Sequence, residues 1–341
     1  SVLEGRTATY SIEVEPFYGT ASLDSATGVI NYTTDYSDVA VETITFRVND
    51  GVIDDGVADL TLNLNSDPAY KESWHLDNTG QSTYSSRSGT PGEDINADKT
   101  ISSGHTGEGI GIHIMDSGME IAHEDLIDNV IPGYSVDFIE GDNDPTNPST
   151  SGDHGTSVAG LIAAKGWNNV GSRGVAPDAS IIGNNILQYF TYENEASAWG
   201  YEDIYTSQMD IFNMSYGLRL YYDDNTTFNF PKFNSVGEIT LLALKNGVTN
   251  LRNGKGAIYI KSLGNGFRDN RTNGFACGEA GVDDDGALGC TIRFSDSIHN
   301  TPYILGVGAL KATGIKTSYS TTDPSIWISG FAGEFGYTEE Y

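Results

Sequence analysis

The chain has 341 residues, with 18 Lys and Arg against 47 Asp and Glu and a formal net charge of −29 at pH 7. So few cations cannot neutralise a phosphate backbone, which excludes a nucleic-acid partner, and no apolar run approaches the roughly 20 residues of a membrane span. The carboxylate excess suits an exported protein, secreted or at the cell surface, that binds Ca²⁺ or attracts cationic substrates, although most of these acids read as solvated surface.

The length allows two domains. Residues 1–66 read as all-β: Ala8, Tyr10, Ile12 and Val14 alternate with polar residues, as do Ala58, Leu60, Leu62 and Leu64. Between them lie Val29-Ile30 and the run from Ile44 to Val48, with turns at Gly28, Asn49-Asp50-Gly51 and Asp55-Gly56. Short strands at this spacing predict a β-sandwich. After Asn65 the pattern changes, and residues 77–108 are polar, rich in Ser, Gly and Thr, with no regular element predicted.

Ile110, Ile112, Ile114 and Met115 then predict a strand that ends in Asp116-Ser117-Gly118. Asp153-His154-Gly155-Thr156-Ser157 opens a small-residue helix running from Val158 to Ala164. Further strands are predicted at Ile181-Ile182, Ile211-Phe212, Ala257–Ile260 and Tyr303–Val307, with a helix near Val236–Lys245. Alternating strands and helices of this kind form a mostly parallel sheet covered on both faces, an α/β fold with its chemistry at the carboxyl ends of the strands. Asp116, Ser215 and Asn265 fall at such ends.

A serine hydroxyl becomes a nucleophile when a neutral imidazole takes its proton, and a carboxylate fixes the tautomer of that imidazole. A further donor must face the oxyanion that develops at the scissile carbonyl. Asp116, His154 and Asn265, within Ser262-Leu263-Gly264-Asn265-Gly266, can fill these roles in chain order. Each motif alone also describes a turn or a helix start; together, in order and on matching elements, they are specific.

From about Asp67 to Tyr341 the chain resembles the kexin-like, proprotein-convertase-like branch of the subtilisin proteases. The segments DPAYKESWHLDNTGQ, GEDINADKTISSGHTGEGIGIHIMDSGMEIAHEDL, GDHGTSVAGLIAA, NNVGSRGVAPDASIIG, IFNMSYG and RNGKGAIYIKSLGNG carry the likeness, as do NTPYILGVGAL and TSYSTTDPSIWISGFAGEFG. The stretch ATGVINYTTDYSDVAVETITFRVNDGVIDDGVADLTLNL resembles the later strands of a bacterial cadherin-like repeat. The likeness implies a partial cadherin-like or Ig-like sandwich over 1–66. It also implies a subtilisin-like, doubly wound, mostly parallel peptidase domain over 67–341 that lacks its C-terminal part.

The implied activity is a calcium-dependent serine endopeptidase acting on polypeptides, with Asp116 orienting the imidazole, His154 as base and acid, and Asn265 donating to the oxyanion. Ser215-Tyr216-Gly217 would pair with a substrate strand, and Asp296 would line the primary pocket. Asp67, Asp125 and Asn169 match the ligands of a structural Ca²⁺, and Asp137, Asp142 and Asp144 lie in a loop resembling a second site.

Three departures qualify the match. Ser117 stands where dibasic-specific members carry a second acid, and Leu218-Arg219-Leu220-Tyr221-Tyr222 precedes Asp223-Asp224 beyond the edge segment. An insertion holding Cys277 and Cys290, read either as a loop-closing disulfide or as two free thiols, lies between Asn265 and Asp296. No Gly-Thr-Ser follows Asn265, and Ser320, Ser325 and Ser329 sit in no Gly-Thr-Ser-Xaa-Ala setting. The nucleophile is therefore expected beyond Tyr341, as Ser1 is expected to be an internal start. The competing expectation is an inactive, protease-like adhesive or scaffold protein.

Overall fold

The computed structural model describes residues 7–34, 41–51, 54–64, 66–83, 85–149, 153–217, 237–265, 298–322 and 324–334. Five strands come first: β1 (Thr9–Val14), β2 (Gly19–Leu23), β3 (Ile30–Thr34), β4 (Val41–Asn49) and β5 (Asp54–Asn63). They form an antiparallel three-stranded sheet, β1-β4-β5, and a β2-β3 hairpin. The hairpin closes where Asp24 Oδ1 accepts from the amides of Ala26 and Thr27 and Gly28 takes φ +73°, a conformation that glycine adopts without strain. Tyr10 and Ile12 turn inward as their spacing predicts, but Val14 is exposed. The β1–β4 register shifts between Ile12 and Val14, and such a bulge turns the next side chain to the other face.

The second part is built on six parallel strands: β6 (Gly111–Met115), β7 (Ser180–Asn184), β8 (Ile211–Met214), β9 (Ile258–Ser262), β10 (Ile304–Leu310) and β11 (Ile326–Phe331). Their spatial order is β11-β10-β9-β8-β6-β7. β6 therefore lies inside the sheet, with the chain first adding β7 on one side and then β8 on the other. A crevice opens at the carboxyl ends of strands at such a reversal.

Helices α2 (His154–Ala163), α3 (Tyr192–Ala198) and α4 (Glu238–Gly254) accompany the sheet, α4 being broken by non-helical angles at Leu251, Arg252 and Asn253. Alternate residues of β6 serve the two faces. Ile112 and Ile114 join Leu126, Ala159, Ala163 and Ile181 in one core, while Met115 joins Ile182, Trp199, Phe212 and Tyr259 in the other. Both faces of the sheet are thus buried, which is why its strands read as apolar runs.

The 77–108 region holds one element the sequence pattern does not announce, α1 (Ala97–Ser102). Six residues are too short for a helical period, and this turn is held by burying Ala97 and Ile101 against Leu76. Among the described residues no helix is long and apolar enough to cross a membrane.

Candidate active site

Asp116 is the first residue beyond β6 and His154 the first of α2. A close backbone approach brings them together. A Cβ on Gly155 would lie 2.0 Å from the Gly118 carbonyl oxygen, and one on Gly118, at φ +122°, would lie 2.3 Å from the Pro145 oxygen. Only glycine permits either contact. With the helix start seated this way, His154 Nδ1 stands 2.7 Å from Asp116 Oδ1.

The same carboxylate oxygen accepts from the Ser117 amide at 2.7 Å. The Asp116 side chain is fully buried, whereas that of His154 is 57 % exposed. The hydrogen bond to Asp116 raises the pKa of His154 above its ordinary 6.5, against an opposing effect of burial and with help from the charges of Asp116 and Asp153. The pair is an oriented imidazole with its Nδ1 side committed and its other face toward solvent.

Two residues without a motif hold this loop. Asn147 Nδ2 and Gln188 Nε2 both donate to the Ser117 carbonyl, at 3.0 and 2.6 Å, and the Leu187 amide donates to the Asp116 carbonyl at 3.2 Å. Ser117 itself, in the place of a second acid, accepts weakly from the Gly155 amide at 3.4 Å. Ser215, Tyr216 and Gly217 continue from β8, and Asn213 Nδ2 donates to Ser215 Oγ at 3.0 Å. Asn265 follows β9 at the same edge of the sheet and is exposed. Asp296, the segment from Leu218 to Asp224, Cys277 and Cys290 lie outside the described residues.

Asp67, Asp125 and Asn169 are gathered in one place, Asp67 and Asp125 both buried. Arg173 Nε donates to Asp67 Oδ2 at 2.7 Å and the Asn168 amide to Asp67 Oδ1 at 3.2 Å. Asn168 Nδ2 and the Ser172 amide donate to the two oxygens of Asp125, and the Ser66 amide to Asn169 Oδ1. Burial raises the pKa of Asp125; the bonds from Asn168 and Ser172 oppose this, and the nearby Asp67 adds to it. Two buried carboxylates beside one guanidinium leave one negative charge close to the Asn169 amide oxygen, the donor chemistry a hard cation takes, with these oxygens here accepting from Arg173, Asn168, Ser172 and Ser66. Asn168, which bridges both acids, is a member that the sequence motifs do not single out.

The loop of Asp137, Asp142 and Asp144 is arranged differently. Asp137 Oδ1 accepts from Asn185 Nδ2 and from the amides of Ile139 and Glu140, whereas Asp142 and Asp144 accept from amides two residues on. Burial works to raise the pKa of Asp137, and its hydrogen bonds outweigh that, leaving it below the usual value. Among the described residues no three His, Cys, Asp or Glu side chains converge as a metal set. The three acids, as placed here, therefore shape their own turns and do not fit a formed cation site.

A parallel α/β sheet with an imidazole–carboxylate pair at the reversal of strand order defines a hydrolase-type scaffold of the subtilisin kind. The subtilase (Peptidase S8) family model matches residues 107–333, and the chain belongs to that family. It is 34 % identical over 278 residues to the extracellular serine protease of Aeromonas sobria, covering 80 % of this chain and 42 % of that protein. It is 34 % identical over 227 residues to human neuroendocrine convertase 2, covering 64 % of this chain and 33 % of the convertase. The crystal structure of the Aeromonas sobria protease in complex with its chaperone superposes with a TM-score of 0.69 at 30 % identity, over 80 % of this chain and 44 % of that one. The chain thus spans less than half the length of these relatives.

Proposed function

We propose that the protein is a secreted, calcium-stabilised serine endopeptidase of the subtilisin/kexin type. The observation that carries this reading is the 2.7 Å contact between His154 Nδ1 and the buried carboxylate of Asp116. With Nδ1 so engaged, His154 Nε2 is the basic atom. It takes the proton of a seryl hydroxyl supplied from outside these 341 residues as the Oγ–C bond to the substrate carbonyl forms. Asn265 donates to the resulting oxyanion. His154 then returns the proton to the amine as the C–N bond breaks, and a water molecule repeats the sequence on the acyl-enzyme. The polypeptide substrate adds as a strand along Ser215-Tyr216-Gly217, and Asp296 favours a basic side chain in the primary pocket. Ser117 in place of an acid relaxes any demand for a second basic residue.

Residues 67–341 form the peptidase domain in this reading and residues 1–66 a cadherin-like arm. Ca²⁺ sits on Asp67, Asp125 and Asn169, where it neutralises the remaining buried charge and ties the start of the domain to the 165–173 loop.

The full-length protein is expected to be labelled at serine by a peptidyl phosphonate in the presence of calcium. A protein that stays unlabelled is instead a protease-like scaffold. Excess chelator is expected to lower the melting temperature by roughly 5–10 °C, because an ion held only by the native state stabilises it. A midpoint that does not move removes the calcium assignment.

A further inference from the structure

One buried cation has been given no role above. Lys261 is 2 % exposed, the fourth residue of β9 and in register with Met214, the last residue of β8. Its ammonium donates to the main-chain carbonyl of Tyr216 and lies 4.2 Å from the centre of the Tyr216 ring. A lysine inside an otherwise apolar strand is costly to desolvate, and this one is compensated by a carbonyl dipole and an aromatic face. The two contacts join the strand that leads to Asn265 to the segment that leaves β8.

We infer that Lys261 is a positioning residue, a clamp that sets the Ser215–Gly217 segment for main-chain recognition of the substrate. Along an extended chain successive carbonyls point to opposite sides. Drawing the Tyr216 oxygen inward turns the main-chain groups of Ser215 and Gly217 outward, where an incoming strand can pair with them. Tyr216 also packs against the core that holds Phe212 and Tyr259, so the clamp is anchored on a rigid base. Lys261 touches neither substrate nor the Asp116–His154 pair in this scheme; it acts through Tyr216. The inference rests on the proposed endopeptidase reading of that segment.

The test compares two serine reagents on the full-length protein. Diisopropyl fluorophosphate needs only the activated serine, whereas a tetrapeptidyl diphenyl phosphonate must also pair along the segment. Lys261→Met is expected to slow the tetrapeptidyl reagent by about tenfold or more while changing the small reagent less than about twofold, since a misplacement near 1 Å is enough for such a loss. Lys261→Arg, which keeps a charged donor, is expected to recover most of the peptidyl rate. Should the Met variant not accumulate, Lys261→Gln takes its place with the same split expected.

Equal loss with both reagents would make Lys261 a purely structural residue and overturn the clamp, as would two unchanged rates. A wild-type protein inert to both reagents defeats the endopeptidase reading itself, and the clamp falls with it.

Discussion

Asp116→Asn is expected to lower kcat of the proposed endopeptidase about ten-thousand-fold, with KM within about threefold of wild type. The size follows from how little else orients the base. His154 is 57 % exposed, and its ring is held by the hydrogen bond to Asp116 Oδ1. Asparagine fills the same buried space, but an amide nitrogen facing Nδ1 forces the tautomer that leaves the proton on Nε2. The base then points its hydrogen at the nucleophile. The pH profile gives a second readout. In the proposed mechanism neutral imidazole is the active form, and Asp116 raises its pKa above 6.5, so the acid limb of kcat/KM is expected above 6.5 in the wild type. Removing the carboxylate charge is expected to move that limb toward lower pH. A kcat within tenfold of wild type would show that another group orients His154.

The second large effect concerns stability in acid. His113 lies in β6, fully buried, with Nε2 2.9 Å from the side-chain nitrogen of Asn184. Asn184 is fixed in that orientation because its Oδ1 accepts from the Ile186 amide, so Nε2 of His113 must be the acceptor. The Nδ1 side faces the Ala198 carbonyl without a well-formed hydrogen bond, and the Phe212 ring packs nearby at 5.8 Å. Burial dominates and pushes the pKa from 6.5 down to about 4, partly offset by the Ala198 carbonyl and the charge of Asp203.

The unfolded chain therefore takes up a proton below 6.5 that the folded chain refuses. Stability from this residue is complete above 6.5 and is lost as the pH falls toward 4. At roughly 1.4 kcal/mol for each tenfold difference in proton affinity, the loss is about 3 kcal/mol. His113→Gln keeps an acceptor for Asn184 but carries no such proton. Urea melts between pH 7 and 4 are expected to show the wild type losing about 3 kcal/mol more than the variant. Parallel losses would mean that His113 is not the acid-sensitive group.

Much of this is legible in the amino-acid sequence. Strands β6 to β10 announce themselves because a sheet covered on both faces demands continuous apolar runs, and Ile112–Ile114 or Ile181-Ile182 have no other use. Asp116 and His154 are marked by glycines whose role is steric, and the short motifs around them follow from that crowding. What stayed hidden shares a different cause. Asn147 and Gln188 reach the Ser117 carbonyl from 30 and 71 residues away, each as an ordinary loop amide. Lys261 looks like a surface residue until its strand is known to be third in the sheet. The six-residue helix of Ala97–Ser102 exists through its contact with Leu76, and no local period records that. Val14 departs from its expected inward face because a bulge breaks the alternation of β1.

The contact between Gly118 and Gly155 has a practical side for anyone who would reshape the cleft. Side chains around the base can be varied and selected, since the loop before α3 carries Tyr189 and Phe190 exposed. The seam where α2 meets the β6 loop has no such slack. A single methyl group there would pry the imidazole from its carboxylate with every polar atom still present. Libraries that randomise the neighbourhood should freeze those two glycines first, because their loss would look like a chemical defect while being one of clearance.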